Sequence, residues 1–269
     1  MFWEESMEPT TTHLPAVNTV GLTAPFGWLA GGWADFRKAL WPCLVYGAIL
    51  VALSLSLAMA LYFAGALRWL FALAAAFMLV APMFAMGLYK TGRMLEQGER
   101  PRVGDILLVR SAFRQDLMYL GLALFLVYSF WVEASQIIYG LSTYRVHKTL
   151  SELLTFMFTQ PDGQNMAMVG KAVGGVIAFL AFSLVVVSAP MLLNEKTNVF
   201  IATITSVRKI AQNFLPMLVW AMLIVALTAL GITTGFLGLI VTFPVIGLAS
   251  WRAYRELVPS SRGDMEQAV

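Results

Sequence analysis

Residues 40–63 read LWPCLVYGAILVALSLSLAMALYF, a run without a single charged residue. A bilayer core is about 30 Å thick, and about 20 mostly apolar helical residues cross it. The run therefore predicts a transmembrane helix, solvated by lipid and not by a soluble core. Composition agrees. The 269 residues are 59% hydrophobic and 12% charged, whereas soluble domains are near half apolar and a quarter charged.

Five further runs approach spanning length: Trp69–Tyr89, Leu117–Leu141, Ala172–Leu193, Phe214–Gly231 and Gly235–Trp251. Only Ile232, Thr233 and Thr234 divide the last two. Joined, they are far too long for one crossing, so a tight helical hairpin is expected, with Gly231 and Gly235 bracketing the break. Lys and Arg stay on the cytoplasmic side. With the N-terminus inside, the inner segments hold fourteen of the 18 Lys and Arg, and the outer segments hold Arg68, Arg145, Lys148 and Lys171. This predicts six spans with both termini cytoplasmic. Residues 1–24 lack the basic and apolar regions of a secretory signal. They read as a disordered cytoplasmic tail, 25–258 as the membrane domain and 259–269 as a flexible tail.

Immediately before the first span stands DFRKALWP (35–42), and before the fifth ITSVRKIAQNF (204–214). Superimposing 29–40 on 200–211 brings Leu29, Trp33, Phe36 and Leu40 onto Phe200, Ile204, Val207 and Ala211. The i, i+4, i+7, i+11 spacing marks one face of a helix. Arg37-Lys38 then coincides with Arg208-Lys209. Ile106, Val109, Phe113 and Leu117 form a looser third stripe, with Arg114 following Phe113 as Arg37 follows Phe36. Asp105 and Asn198 are expected N-caps. Pro82, Pro190 and Pro244 recur in the even-numbered spans, where a proline removes a backbone hydrogen bond and kinks the helix. The predicted fold is therefore all-α: six transmembrane helices in three parallel repeats (about 26–93, 104–196 and 197–256), each an amphipathic interfacial helix plus a transmembrane hairpin. Arg37, Lys38, Arg114, Arg208 and Lys209 are expected at the membrane surface, facing anionic headgroups. The prolines either shape packing only or open a central cavity.

Catalytic chemistry is sparse. His13 and His147 lie outside the spans, so they cannot supply the embedded axial and copper ligands of a haem-copper core. The single cysteine, Cys43, excludes an intrachain disulfide and a Cys-rich metal site. No HExxH, CxxC, P-loop or GxSxG occurs, and no basic cluster is dense enough for nucleic acid. No catalytic residue, cofactor or metal site is assigned. Glu133, with Gln136 beside it, is the candidate intramembrane polar site, because a carboxylate inside a span is costly. In the outer loop, TLSELLTFMF (149–158) predicts a short interfacial helix and PDG (161–163) a turn.

The stretches GLYKTGRMLEQGERP (87–101), SAPMLLNEKTNVFIATITSVRKIAQNFLPMLVWAMLIVALTALG (188–231) and FPVIGLASWRAYRELV (243–258) carry a resemblance. From about Pro25 to Val258 the chain resembles an uncharacterised proteobacterial family of integral membrane proteins, domain of unknown function family 2189. Members are sometimes labelled cytochrome c oxidase subunit I-like. Many resemble one another in a histidine near GLASW, which Gly247–Trp251 lacks here. The resemblance implies location and fold, and no established activity. Three functions remain in play: an accessory or assembly component with a membrane-protein partner or a second copy of itself; a carrier or channel for a small solute or lipid; and a membrane enzyme using Glu133.

Overall fold

The computed structural model describes residues 18–64, 84–107, 109, 115–144 and 150–258. Among them no strand occurs. The helices are α1 (Ala24–Lys38), α2 (Leu40–Phe63), α3 (84–96), α4 (Val103–Leu107), α5 (Gln115–Ser142), α6 (Leu150–Thr159), α7 (Pro161–Val185), α8 (Ser188–Asn194), α9 (Val199–Gln212), α10 (Phe214–Thr233) and α11 (Leu239–Leu257). Four stretches are long and apolar enough to cross a membrane: α2, α5, the α7–α8 run and α10. The expected second span lies outside the described residues up to 83, and Pro82 and Arg114 lie outside them too. The expected sixth span is α11. Its last turns carry Arg252, Arg255 and Glu256, and by length and composition it does not join the four.

Helix α11 is the axis of the packing. Ten of its side chains, from Pro244 to Leu257, are buried, and it lies against α1, α2 and α10. Small residues let the backbones approach. A Cβ at Gly32 of α1 would come within 2.7 Å of the Ala249 nitrogen. Pro244 cannot accommodate a helical bond to Ile240, and that freed carbonyl lies against Gly47 of α2, where a Cβ would not fit. The α10–α11 connection is the expected hairpin. The turn runs through Thr234–Gly238, with Gly235 at φ +67°, the left-handed region glycine enters without cost.

Pro190 breaks the α7–α8 run as its ring requires. The helix leaves its path at Val186–Val187, four and three residues upstream. The break would orphan the Val187 N–H and the Ser183 carbonyl, which an unbroken helix would pair. Ser206 of α9 bridges them: its hydroxyl accepts from Val187 N at 3.3 Å and donates to Ser183 O at 2.7 Å. A bilayer offers no water for such groups, so the inserted hydroxyl makes the kink tolerable.

Several expectations are corrected. PDG is no turn but the first turn of α7; Pro161 is preorganised for that position and Asp162 complements the helix dipole. Asn198 caps α9, its Oδ1 accepting from Ile201 N at 2.9 Å. Asp105 instead sits inside α4 and reaches back to Arg102 N at 2.9 Å. The three apolar stripes are not equivalent. Phe200, Ile204 and Val207 face outward, whereas Ile106, Val109 and Leu117 are buried and the first stripe is mixed, with Trp33 exposed and Phe36 buried. Residues 18–23, assigned to the tail, are partly tied down: Val20 N donates to Asn213 Oδ1 at 2.8 Å and Asn213 Nδ2 donates to Asn18 O at 3.0 Å.

Replacing Ser206 with alanine leaves both groups at the kink unpaired. We expect a loss of about 1–3 kcal/mol, read as a lower midpoint of unfolding in detergent; a variant melting with the parent chain would show that the bridge contributes nothing.

Candidate functional site

Charged side chains gather at one end of the bundle, where they join α1, α3, α8, α9 and α11. Asp35, only 4% exposed, accepts a forked pair of bonds from Arg252: Nε to Oδ2 at 2.6 Å and Nη2 to Oδ1 at 2.9 Å. This geometry suits a guanidinium and a carboxylate, and the bond to Asp35 raises the Arg252 pKa above its ordinary value. Trp28 Nε1 donates to Glu256 at 2.7 Å. Tyr254 donates to Glu195 at 2.7 Å, and Arg255 to Glu96 at 3.1 Å. Asp35 with Arg252 and Glu96 with Arg255 pair opposite charges, while Glu195 and Glu256 accept from neutral donors; together these contacts clamp α11 to its neighbours.

The surface residues expected from sequence divide. Arg37, Lys38 and Arg208 are exposed. Lys209 is not: its side chain is 0% exposed, and its ammonium donates to Leu257 O at the C-terminal end of α11. The carbonyl end of a helix favours a cation. Burial, then the neighbouring Arg208, lower its pKa to about 8, against an opposing pull from Glu195. Lys209 therefore belongs to the clamp and not to the headgroup layer. Its equivalence to Lys38 in sequence concealed this, because the group it meets arrives 48 residues later.

Glu133 and Gln136 are both exposed on α5. Leu122, Leu126, Phe130, Ile137 and Leu141 are exposed on the same helix, and together with Glu133 their spacing describes one face. Neither polar residue lines the cavity between α3, α7, α10 and α11. The helix has 28 residues, and Glu133 sits about 7 Å beyond its midpoint.

The kink prolines Pro190 and Pro244 are buried. Neither lines the cavity of about 200 Å³ nearby, but its walls include Val185 and Val186, just before the Pro190 break, and Phe243 and Gly247, on either side of Pro244 in sequence. Tyr89 of α3, Ile224 of α10 and Ser250 of α11 are among the other residues that line it. The walls are mostly apolar, unlike the polar channel a small solute would need.

Residues 70–194 match the model of a family described as predicted integral membrane protein (DUF2189), the same family that the quoted motifs resemble. The chain is an integral membrane protein with several apolar helices. Among curated proteins and solved structures, none matches it significantly.

The buried Lys209 gives stability a pH dependence. Between about 8 and 10.5 the unfolded chain holds the proton that the folded chain has released. The unfolded state binds more protons there, so stability rises with pH across that window. Thermal unfolding should show this rise, and Lys209→Met should flatten it; equal pH profiles for the two proteins would contradict the burial.

Proposed function

We propose that this chain is a six-span, non-catalytic protein of the bacterial inner membrane that works as an accessory or assembly component, docking sideways on a membrane partner through the outer face of α5. One observation carries the reading: Glu133 stands exposed among exposed apolar side chains of a span-length helix, and no partner for it occurs among the described residues. A charge near the centre of a span costs about 2.5–3.5 kcal/mol on insertion scales. Such a group is accounted for when a second membrane helix supplies a cation or a hydrogen-bond donor. A second copy of this chain would serve, provided it offered a donor at that depth.

The clamp supports the proposed topology. Residues in hydrogen-bond contact share one side of the membrane, and the contacts join Asn18, Asp35, Glu96, Glu195, Lys209 and Glu256. Every one of these lies in a segment assigned to the cytoplasm or beside it. The exposed Arg37, Lys38 and Arg208 then meet anionic headgroups, at about 1 kcal/mol each.

The carrier reading is narrowed by the apolar cavity, which favours lipid over a small polar solute. The enzyme reading needs several groups converging on Glu133, and apart from Gln136 its exposed neighbours on that face are hydrocarbon.

A photoreactive residue at Phe130 or Ile137 should give a protein adduct of discrete mass in native membranes, and one at Leu180 of α7 should not. Glu133→Leu should abolish the adduct while insertion is unchanged. Lipid adducts alone at all three positions would remove the reading. An alkaline phosphatase fusion after Gly140 should be active; an inactive fusion of normal abundance would reverse the proposed orientation.

A further inference from the structure

The cavity between α3, α7, α10 and α11 has a polarity gradient. Val185, Ile224 and Phe243 form its apolar depth. Toward the clamp its walls include Tyr89 and Ser250, each 6% exposed. Among the described residues neither hydroxyl has a hydrogen-bond partner. Neither oxygen is among the sealed, unpartnered polar groups of the interior, so both remain open to an acceptor that enters from outside the chain. One turn beyond Tyr89 on the same face of α3 comes Arg93. Arg252 is held by Asp35 and Arg255 by Glu96, whereas Arg93 makes no ion pair among the described residues.

We propose that this cavity holds one acyl chain of an anionic phospholipid drawn from the surrounding bilayer. The hydrocarbon fills the space lined by Val185, Ile224 and Phe243. The ester carbonyl accepts from Tyr89 and Ser250, and the phosphate meets Arg93. Size is consistent. An apolar cavity of about 150 Å³ holds benzene, so about 200 Å³ accommodates roughly eight carbons on the same scale. These are the half of the acyl chain next to the ester, and the rest of the chain runs on into the bilayer. The order of the groups also matches the ligand: hydrocarbon, then ester, then phosphate, running from the bilayer interior toward the basic end. The prolines matter here because the chain departs from regular helix at Val186–Val187 and Pro244 is inside α11, so both irregularities flank the space.

The test uses the full-length protein in nanodiscs containing a phosphatidylglycerol with a diazirine in its acyl chain, or the matching phosphatidylcholine. After irradiation, adducts are mapped by peptide mass spectrometry. Expected are adducts on peptides containing Tyr89 and Phe243–Ser250 at several times the level at the fully buried Leu120 and Met217. The phosphatidylglycerol should label them at least threefold more than the phosphatidylcholine, and Arg93→Gln should erase that difference. Ala85→Phe and Val185→Phe, which fill the space, should cut cavity labelling at least fivefold and leave labelling at Leu126 and Phe130 of α5 unchanged. Wall labelling no higher than at Leu120, persistence after filling, or equal labelling by both headgroups would each overturn the proposal. Should the filled variants lose labelling on α5 as well, they have not folded, and the comparison within the parent chain and its Arg93→Gln form decides. The Glu133 reading rests on a different face and is untouched by either result.

Discussion

The arrangement depends on where α11 can lie. A helix that carries Arg252, Arg255 and Glu256 in its last turns cannot bury that end in lipid, yet its middle is buried on nearly every side. The resolution is the Asp35–Arg252 fork. A carboxylate out of water is strongly unfavourable unless paired and hydrogen-bonded, and Arg252 satisfies both of its oxygens. With that pair in place, Gly32 must pass Ala249 at backbone distance, and α1 is fixed across α11. Lys209 closes the same helix from beneath by taking the Leu257 carbonyl. Asn213, one turn on, holds residues 18 and 20. The fork, the ammonium and the amide thus tie both ends of the described chain to one helix terminus.

The second constraint is that every backbone group in lipid needs an internal partner. It explains why the proline kinks are supported from neighbouring helices. Ser206 replaces the helical bond missing at Val187, and Gly47 lets α2 approach the carbonyl that Pro244 frees. Kinks held this way are fixed geometry, and a cavity beside them keeps its shape. That is the condition under which an apolar hollow becomes a binding site rather than collapsing under side-chain packing.

What was legible in the sequence follows from the range of each interaction. Charge-free runs such as Leu40–Phe63 announce themselves because lipid is a uniform solvent and composition alone decides. Asn198 and the Gly231–Gly235 hairpin were readable because their partners lie within a few residues. Pro190 located its break because the clash is always with the residue four back. Lys209 was not legible, since nothing local separates it from Lys38. Its burial depends on α11 ending above it. Tyr89 and Ser250 carried no signal at all: a lone tyrosine and a lone serine, 161 positions apart, acquire meaning only when two helices put them on one cavity wall. Glu133 stood out as a carboxylate within an apolar run, but its exposure on α5 could not be read from the sequence. The same residue facing inward would have argued for proton chemistry, and facing outward it argues for a neighbour.

These two features occupy different faces. The cavity walls come from α3, α7, α10 and α11, and none comes from α5. A partner seated on Glu133 would therefore leave the cavity as it is, and a lipid in the cavity would not obstruct the partner. The most direct link between them is α7, which lies against α5 on one side and contributes Val185 and Val186 to the cavity on the other. Allostery requires an element with two discrete arrangements. The Pro190 break is the one place in α7–α8 where such a change could be absorbed, and Ser206 holds it in a single arrangement. With the bridge intact, docking and lipid occupancy are expected to be independent; weakening it is what would connect them.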